Sequence, residues 1–164
     1  MASGCGERVL YIATAKPIDS EMSDRIKRHR ERRSASWETV EYHSHVPDDL
    51  RKRSGDFDAI LFDCVTIFIS NILIESSIDW ERCGPVELVG LEQGIRDELG
   101  RLVNAAAEAD ICLIIVTNEV GMGIVPDNAI SRIFRDIAGR VNQELAAIAD
   151  EVYLCVCGLP TRIK

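Results

Sequence analysis

The chain has 164 residues, 46% of them apolar and 28% charged, with a formal net charge of −8. That length supports one domain with its own core, residues 1–164, and that balance excludes a disordered chain. A pI near 4.9 argues against nucleic-acid binding, which rests on a basic surface. No apolar stretch of about 20 residues is present to insert in a membrane. With no secretory segment either, the chain reads as cytoplasmic.

Four short runs rich in aliphatic residues come in chain order: Arg8–Thr14 (RVLYIAT), Ala59–Val65 (AILFDCV), Ile111–Asn118 (ICLIIVTN) and Glu151–Gly158 (EVYLCVCG). Nearly continuous apolar character is the pattern of strands buried on both faces of a parallel sheet. Helical periodicity fills the intervals. Glu21–Arg33 is one such segment and Thr66–Ile74 a second. Pro85–Ala109 is a third, with Leu88, Leu91, Ile95, Leu99 and Leu102 on one face. Asp127–Asp150 is the fourth, with Asp127 as N-cap and Ile130, Ile133, Phe134, Ile137, Val141, Leu145 and Ile148 aligned. Strands alternating with helices predict an α/β fold whose mostly parallel sheet is flanked by helices. Such sheets bind ligands beyond the carboxyl ends of their strands. Ala13–Thr14, Asp63–Cys64 and Thr117–Glu119 all fall there.

Six cysteines occur without any C-x-x-C pair. Cys64, Cys112, Cys155 and Cys157 lie in apolar runs and read as buried core thiols.

Two features carry chemistry. Asp63 closes an apolar strand, as does the acid that holds Mg²⁺ in phosphate-binding folds; an acid capping the next helix is the alternative. The second feature is RIKRHRERR, Arg25–Arg33, which gathers six arginines and lysines about His29 in an acidic chain. At 100° per residue Arg25, His29 and either Arg32 or Arg33 share one side, with Met22 and Ile26 as anchors. A neutral imidazole there is a nucleophile for phosphorus, and the guanidinium groups would bond the phosphate oxygens. A solvated amphipathic helix with an incidental histidine is the bland alternative. No G-x-x-x-x-G-K-[ST] phosphate loop occurs among these residues.

Val116–Lys164 contains TNEVGMGIVP, FRDIAGRVNQ, ADEVYL and G-L-P-x-x-I-K. Upstream stand VLYIATA, EM-x-x-RI-x-x-HR-x-x-R, W-x-T-x-E and LFDC-x-T-x-x-x-x-N-x-L. Together, over Val9–Lys164, they closely resemble the bifunctional adenosylcobinamide kinase/adenosylcobinamide-phosphate guanylyltransferase family of cobalamin biosynthesis. The resemblance implies a P-loop NTPase-like (RecA-like) core and a transferase. The family phosphorylates adenosylcobinamide with ATP or GTP, then transfers GMP from GTP to the adenosylcobinamide phosphate through a guanylylated histidine. It implies His29 as that histidine. It implies GTP contacts at Ile12, Ala13, Thr14, Arg30, Glu31, Arg32, Arg33, Glu41 and Asp63, with Mg²⁺ at Asp63 directly or through water. It also implies a homo-oligomer, a trimer with sites between subunits.

The family's pattern departs from this chain at Ser34, where proline is common. It departs more at the start, where the family has a strand and GG-x-x-SGKS before the segment matching VLYIAT. MASGCG resembles the tail of the helix that follows that loop. The expectation is that Met1 is an internal methionine, that the sheet lacks an interior strand, and that ladder groups on its neighbours are exposed. A non-catalytic domain that binds nucleotide or corrinoid is the alternative reading.

Overall fold

The computed structural model describes residues 2–31, 33–42, 46–53 and 55–164. The chain divides into two compact units, Met1–Asn118 and Glu119–Lys164.

The first unit opens with a short helix, α1 (Ala2–Cys5), followed by β1 (Val9–Ala13), α2 (Ser20–Glu31), β2 (Glu38–Glu41) and α3 (Val46–Lys52). β3 (Ala59–Asp63), α4 (Val65–Glu75), α5 (Pro85–Glu108) and β4 (Cys112–Val116) complete it. The strands form one parallel sheet in the order β2-β1-β3-β4. Parallel neighbours need crossovers, which the helices supply. Register places Glu41, Ala13, Asp63 and Val116 opposite one another, so the carboxyl ends of the strands form a single row.

Period-two alternation sends Val9, Tyr11 and Ala13 to one face of β1 and Leu10 and Ile12 to the other. On the first face Val9 and Ala59 pack with Trp37, Leu61 and Ile114. On the second, Phe62 meets Phe68 of α4 and Tyr42 edge-on, with centroids 5.1–5.9 Å apart among the three rings. Burial of both faces explains the continuous apolar character of β1 and β3. α5 starts at Pro85, with the Glu87 carboxylate accepting from the Gly84 amide at 2.8 Å. It buries Ile95, Leu99 and Leu102 of the predicted stripe together with Ala105 and Ala106, while Leu88 and Leu91 are half-buried.

β4 closes the four-stranded order with β3 as its one ladder partner there, so the edge at which a further strand would pair is open. β1 pairs with β3 and β3 with β4 in continuous register. Unpaired peptide groups are costly to bury, and direct pairing of these strands satisfies them.

The second unit holds a 3₁₀ turn (Val120–Met122), α6 (Ala129–Ile148), β5 (Tyr153–Val156) and β6 (Leu159–Arg162). Asn128 rather than Asp127 caps α6, accepting from the Ser131 amide at 2.8 Å. Lys164 Nζ donates to the carbonyls of Ala146 and Ala147 at 3.0 and 2.8 Å, closing the other end of the helix. The fourth apolar run does not enter the parallel sheet. β5 pairs antiparallel with β6 across a two-residue turn in which Cys157 (φ 52°) and Gly158 (φ 79°) are both left-handed. Such a turn returns the chain at once, so the nearest partner is local.

The cysteine reading needs the same correction. Of the four predicted core thiols only Cys64 is buried, and Cys112, Cys155 and Cys157 are exposed. Cys112 starts an edge strand, and the other two sit on the hairpin.

Candidate active site at the carboxyl ends of the strands

The row of strand ends is held by Thr14. Its amide donates to the Asp63 carbonyl at 3.0 Å. Its hydroxyl donates to the Cys64 carbonyl at 2.9 Å and accepts from the Cys64 amide at 2.7 Å. The Asn71 side-chain amide, from α4, donates to the Thr14 carbonyl at 2.7 Å. Thr14 is 3% exposed, so its role is to clamp β1 to the turn after β3. From β4's end, Asn118 Nδ2 reaches the Thr66 hydroxyl at 2.5 Å.

On the Tyr11 face, the Tyr11 hydroxyl donates to Asp63 Oδ2. The two residues are diagonal neighbours on adjacent strands, within reach of a long side chain. Burial, and then the bond to the carboxylate, push the Tyr11 hydroxyl far above the ordinary phenol range. It therefore stays a donor. Arg33 lies flat over the Tyr11 ring, 3.3 Å from its centroid, and its Nη1 donates to Thr39 Oγ1 at 3.4 Å. Arg33 Nε is buried without a protein acceptor. One turn back, Arg30 pairs with Glu41 at 3.3 Å. The end of the basic helix is thus tied down beside the ends of β1, β2 and β3. Met22 and Ile26, the expected anchors of α2, are half-buried.

On the other face a cavity of about 580 Å³ opens beyond β1, between α4 and α5. Phe68, Ile72, Leu91 and Ile95 give it an apolar floor, with Tyr42 on the rim. Its charged groups are Lys16, Glu41, Glu75 and Glu98. Lys16 is paired with Glu75, and Glu98 accepts from the Tyr42 hydroxyl and from Arg101. Gly90 and Gly94 line the α5 side, and a Cβ at either would meet no atom within 4 Å.

The sequence-predicted residues distribute as follows. Ala13, Thr14 and Glu41 line the cavity. Asp63, Arg33 and Arg30 belong to the cluster on the opposite face. His29 and Glu31 are exposed at the last turn of α2. Ile12 is 0% exposed and presents no surface to a ligand. Arg32 lies outside the described residues. Tyr11, Lys16, Tyr42 and Asn71 were missed. Tyr11 reads as one more apolar strand residue until its register against Asp63 is known. Among the described residues, no group of three or more His, Cys, Asp and Glu forms a metal cluster. Nor is any of their helices long and apolar enough to cross a membrane.

A parallel α/β sheet with its polar side chains gathered past the carboxyl ends defines a ligand-binding α/β domain. Which one follows from comparison with known proteins. The family model for cobinamide kinase/cobinamide phosphate guanyltransferase matches residues 1–163, and the chain belongs to that family of transferases. The bifunctional adenosylcobalamin biosynthesis protein CobU of Salmonella typhimurium LT2 is 43% identical over 163 residues, covering 98% of this chain and 88% of the relative. The protein of the same name from Escherichia coli K12 is 41% identical over 161 residues, with the same shares. The bifunctional adenosylcobalamin biosynthesis protein CobP of Pseudomonas aeruginosa PAO1 is 34% identical over 164 residues, covering 100% and 87%.

Proposed function

We propose that this protein phosphorylates adenosylcobinamide, using ATP or GTP, and then transfers GMP from GTP to the product to give adenosylcobinamide-GDP. The observation that carries the reading is the docking of the basic helix's end onto the strand ends through Arg30–Glu41 and Arg33–Tyr11–Asp63. A histidine one residue before a docked arginine is held near the row of strand ends, where such folds bind ligands.

In the guanylyl step the His29 imidazole attacks the α-phosphorus of GTP. A P–N bond forms, the bond to the bridging oxygen breaks, and pyrophosphate leaves. A phosphate oxygen of adenosylcobinamide phosphate then attacks the same phosphorus and displaces the imidazole. Arg30, Arg33 and Arg32 neutralise the oxygens as charge builds.

Mg²⁺ suits the site as a nucleotide-borne ion. It is commonly held by one or two carboxylates together with substrate phosphates and water. Asp63 accepts from Tyr11 through Oδ2 only, which leaves Oδ1 to reach the ion directly or through water. When bound, the ion supplies positive charge to the phosphate oxygens.

The test is incubation with GTP labelled at the α-phosphate. An acid-labile, alkali-stable label on the protein is expected, and His29→Asn should remove it by a factor of about 10³ or more. Retention of the label in that variant would refute the assignment. A second reading is binding of nucleotide or corrinoid without turnover. Binding of both ligands with no label and no phosphorylated product would select it.

A further inference from the structure

We infer that Cys5 and Cys112 form a reversible dithiol: a low-molecular-weight disulfide oxidises the pair to an internal disulfide that staples α1 to the amino end of β4. The inference is independent of the transferase reading, since Cys112 opens β4 at the end of the sheet opposite the row of carboxyl ends.

The register brings these two thiols together. They are 107 residues apart in sequence, yet the Cys112 thiol donates to Cys5 Sγ at 2.7 Å. A disulfide needs about 2.05 Å between its sulfurs, so less than about 1 Å remains to close. Each step between the two residues is fixed. Cys112 stands opposite Ala59, the first residue of β3. The residue before it, Asp58, holds the segment that follows α1. Asp58 Oδ2 accepts from the amides of Glu7 and Arg8 at 3.1 and 3.0 Å, and the Asp58 amide donates to the Arg8 carbonyl at 2.8 Å. The Arg8 guanidinium adds bonds to Asp58 Oδ1 and to the Gly55 carbonyl. Gly6 lies so close that a Cβ there would stand 2.2 Å from the Asp58 Cβ. Cys5 is next to that glycine, so the path to Cys112 runs through Gly6, Asp58 and Ala59 and not across a loose end. A thiol held in this way meets its partner at an effective concentration far above that of a thiol in solution.

Cys5 and Cys112 are both exposed, in contrast with buried Cys64, so a dissolved oxidant reaches them. Partial burial of its sulfur, and then the bond to Cys5, push the Cys112 thiol up to about 11. It is therefore the protonated donor of the pair at neutral pH, and Cys5 makes the first attack. The Cys5 thiolate attacks one sulfur of glutathione disulfide, giving a mixed disulfide and one glutathione thiolate, which takes up a proton. The Cys112 sulfur, giving up its proton, attacks the Cys5 sulfur and displaces the second glutathione. Two protein thiols are oxidised, one small disulfide is reduced to two thiols, and excess thiol reverses the exchange. Because the native backbone already brings the thiols together, the bond restricts the unfolded chain and stabilises the first unit.

The test is incubation of the full chain with glutathione disulfide at about pH 8.5, where thiols exchange faster. Remaining thiols are then alkylated and the protein is mapped with trypsin without reduction. The expected product links residues 1–8 to residues 102–132, at the sum of the two peptide masses less two hydrogens. The urea midpoint, followed by tryptophan fluorescence, should rise by about 1–2 M and return on addition of dithiothreitol. Cys5→Ser and Cys112→Ser should each give no such linked peptide and stay within about 0.3 M of the reduced parent after the same treatment. Recovery of Cys5 and Cys112 as separate glutathione adducts, or joined between two chains, would overturn the inference. So would a linked chain whose midpoint lies at or below that of the reduced protein, since the bond would then have to distort the fold to form.

Discussion

Replacing Thr14 by valine removes the hydroxyl that joins β1 to the turn after β3 and leaves the shape unchanged. Two hydrogen bonds disappear, the donation to the Cys64 carbonyl at 2.9 Å and the acceptance from the Cys64 amide at 2.7 Å. Their consequences differ. The Cys64 carbonyl keeps a second partner, the Phe68 amide at 3.0 Å, so its loss is worth about 1 kcal/mol. The Cys64 amide is left with no acceptor in a residue only 5% exposed, and an orphaned buried donor costs about 1–3 kcal/mol. The valine methyl returns somewhat less than 1 kcal/mol by its burial. The net expectation is about 2 kcal/mol of destabilisation, a fall in the urea midpoint of about 1 M for a slope near 2 kcal/mol/M. The chain's two tryptophans, Trp37 and Trp80, both belong to the first unit, so their fluorescence follows the part that contains the clamp. Thr161→Val, exposed on β6, is the control and should move the midpoint by less than about 0.3 M. A Thr14→Val midpoint equal to the parent's would show that the clamp contributes nothing, and the account of the strand ends would fail with it.

Gly6→Ala should destabilise the first unit, because Gly6 has φ 156° and a Cβ there would lie 2.2 Å from the Asp58 Cβ; chemical denaturation with an unchanged midpoint would contradict that contact. Tyr42 is raised well above the ordinary phenol range by burial and by its bond to Glu98. Its contribution is therefore complete below about pH 10 and is lost as pH rises past the unfolded value. The stability gap between parent and Tyr42→Phe should shrink from pH 9 to pH 11, and a widening gap would reverse the sign of the argument. Asp58 is held below the usual carboxylate range by Arg8 and by the amides of Arg8 and Glu7. Its contribution is present above about pH 4 and disappears as pH falls through its folded value. Asp58→Asn should accordingly match the parent at low pH and fall behind it at pH 7, as read from urea midpoints. In the native protein, iodoacetamide should modify Cys155 and Cys157 rapidly and Cys64 slowly, in line with their exposure; mass mapping of the alkylated peptides checks the order.

Legibility followed burial. β1 and β3 were readable because both faces are covered and nearly every residue had to be apolar. α5 was readable because one buried stripe, from Ile95 to Ala106, repeats over three turns; α6 was readable from its apolar periodicity, although only Ile137, Ala138, Val141 and Asn142 are buried and Ile148 is exposed. β2 was not, since Glu38–Glu41 is an edge strand with one inward residue, Val40, and only its ladder with β1 makes it a strand. β5 misled for the opposite reason. Its apolar letters match a buried strand, yet Leu154 and Val156 are 38% and 56% exposed on a hairpin. The site divides in the same way. Asp63 could be read because an acid after an apolar run is conspicuous in one dimension. Tyr11, Tyr42 and Asn71 could not, because each acts across strands or helices that only the register brings together.

The register also explains how one basic helix can serve an acidic protein. With a net charge of −8, positive potential on this protein has to be local. α2 has no buried residue, and packing alone would leave its last turn loosely held. Two polar ties do what apolar burial does not. Arg30 is drawn to Glu41 and Arg33 to the ring of Tyr11, while Tyr11 is fixed by Asp63. Each tie uses a residue of a different strand, and all of those strands end in the same row. Glu41→Gln removes the first tie alone, so the amides in the last turn of α2 should exchange with solvent faster than in the parent. Equal exchange in both would show that the Arg30–Glu41 pair holds nothing in place.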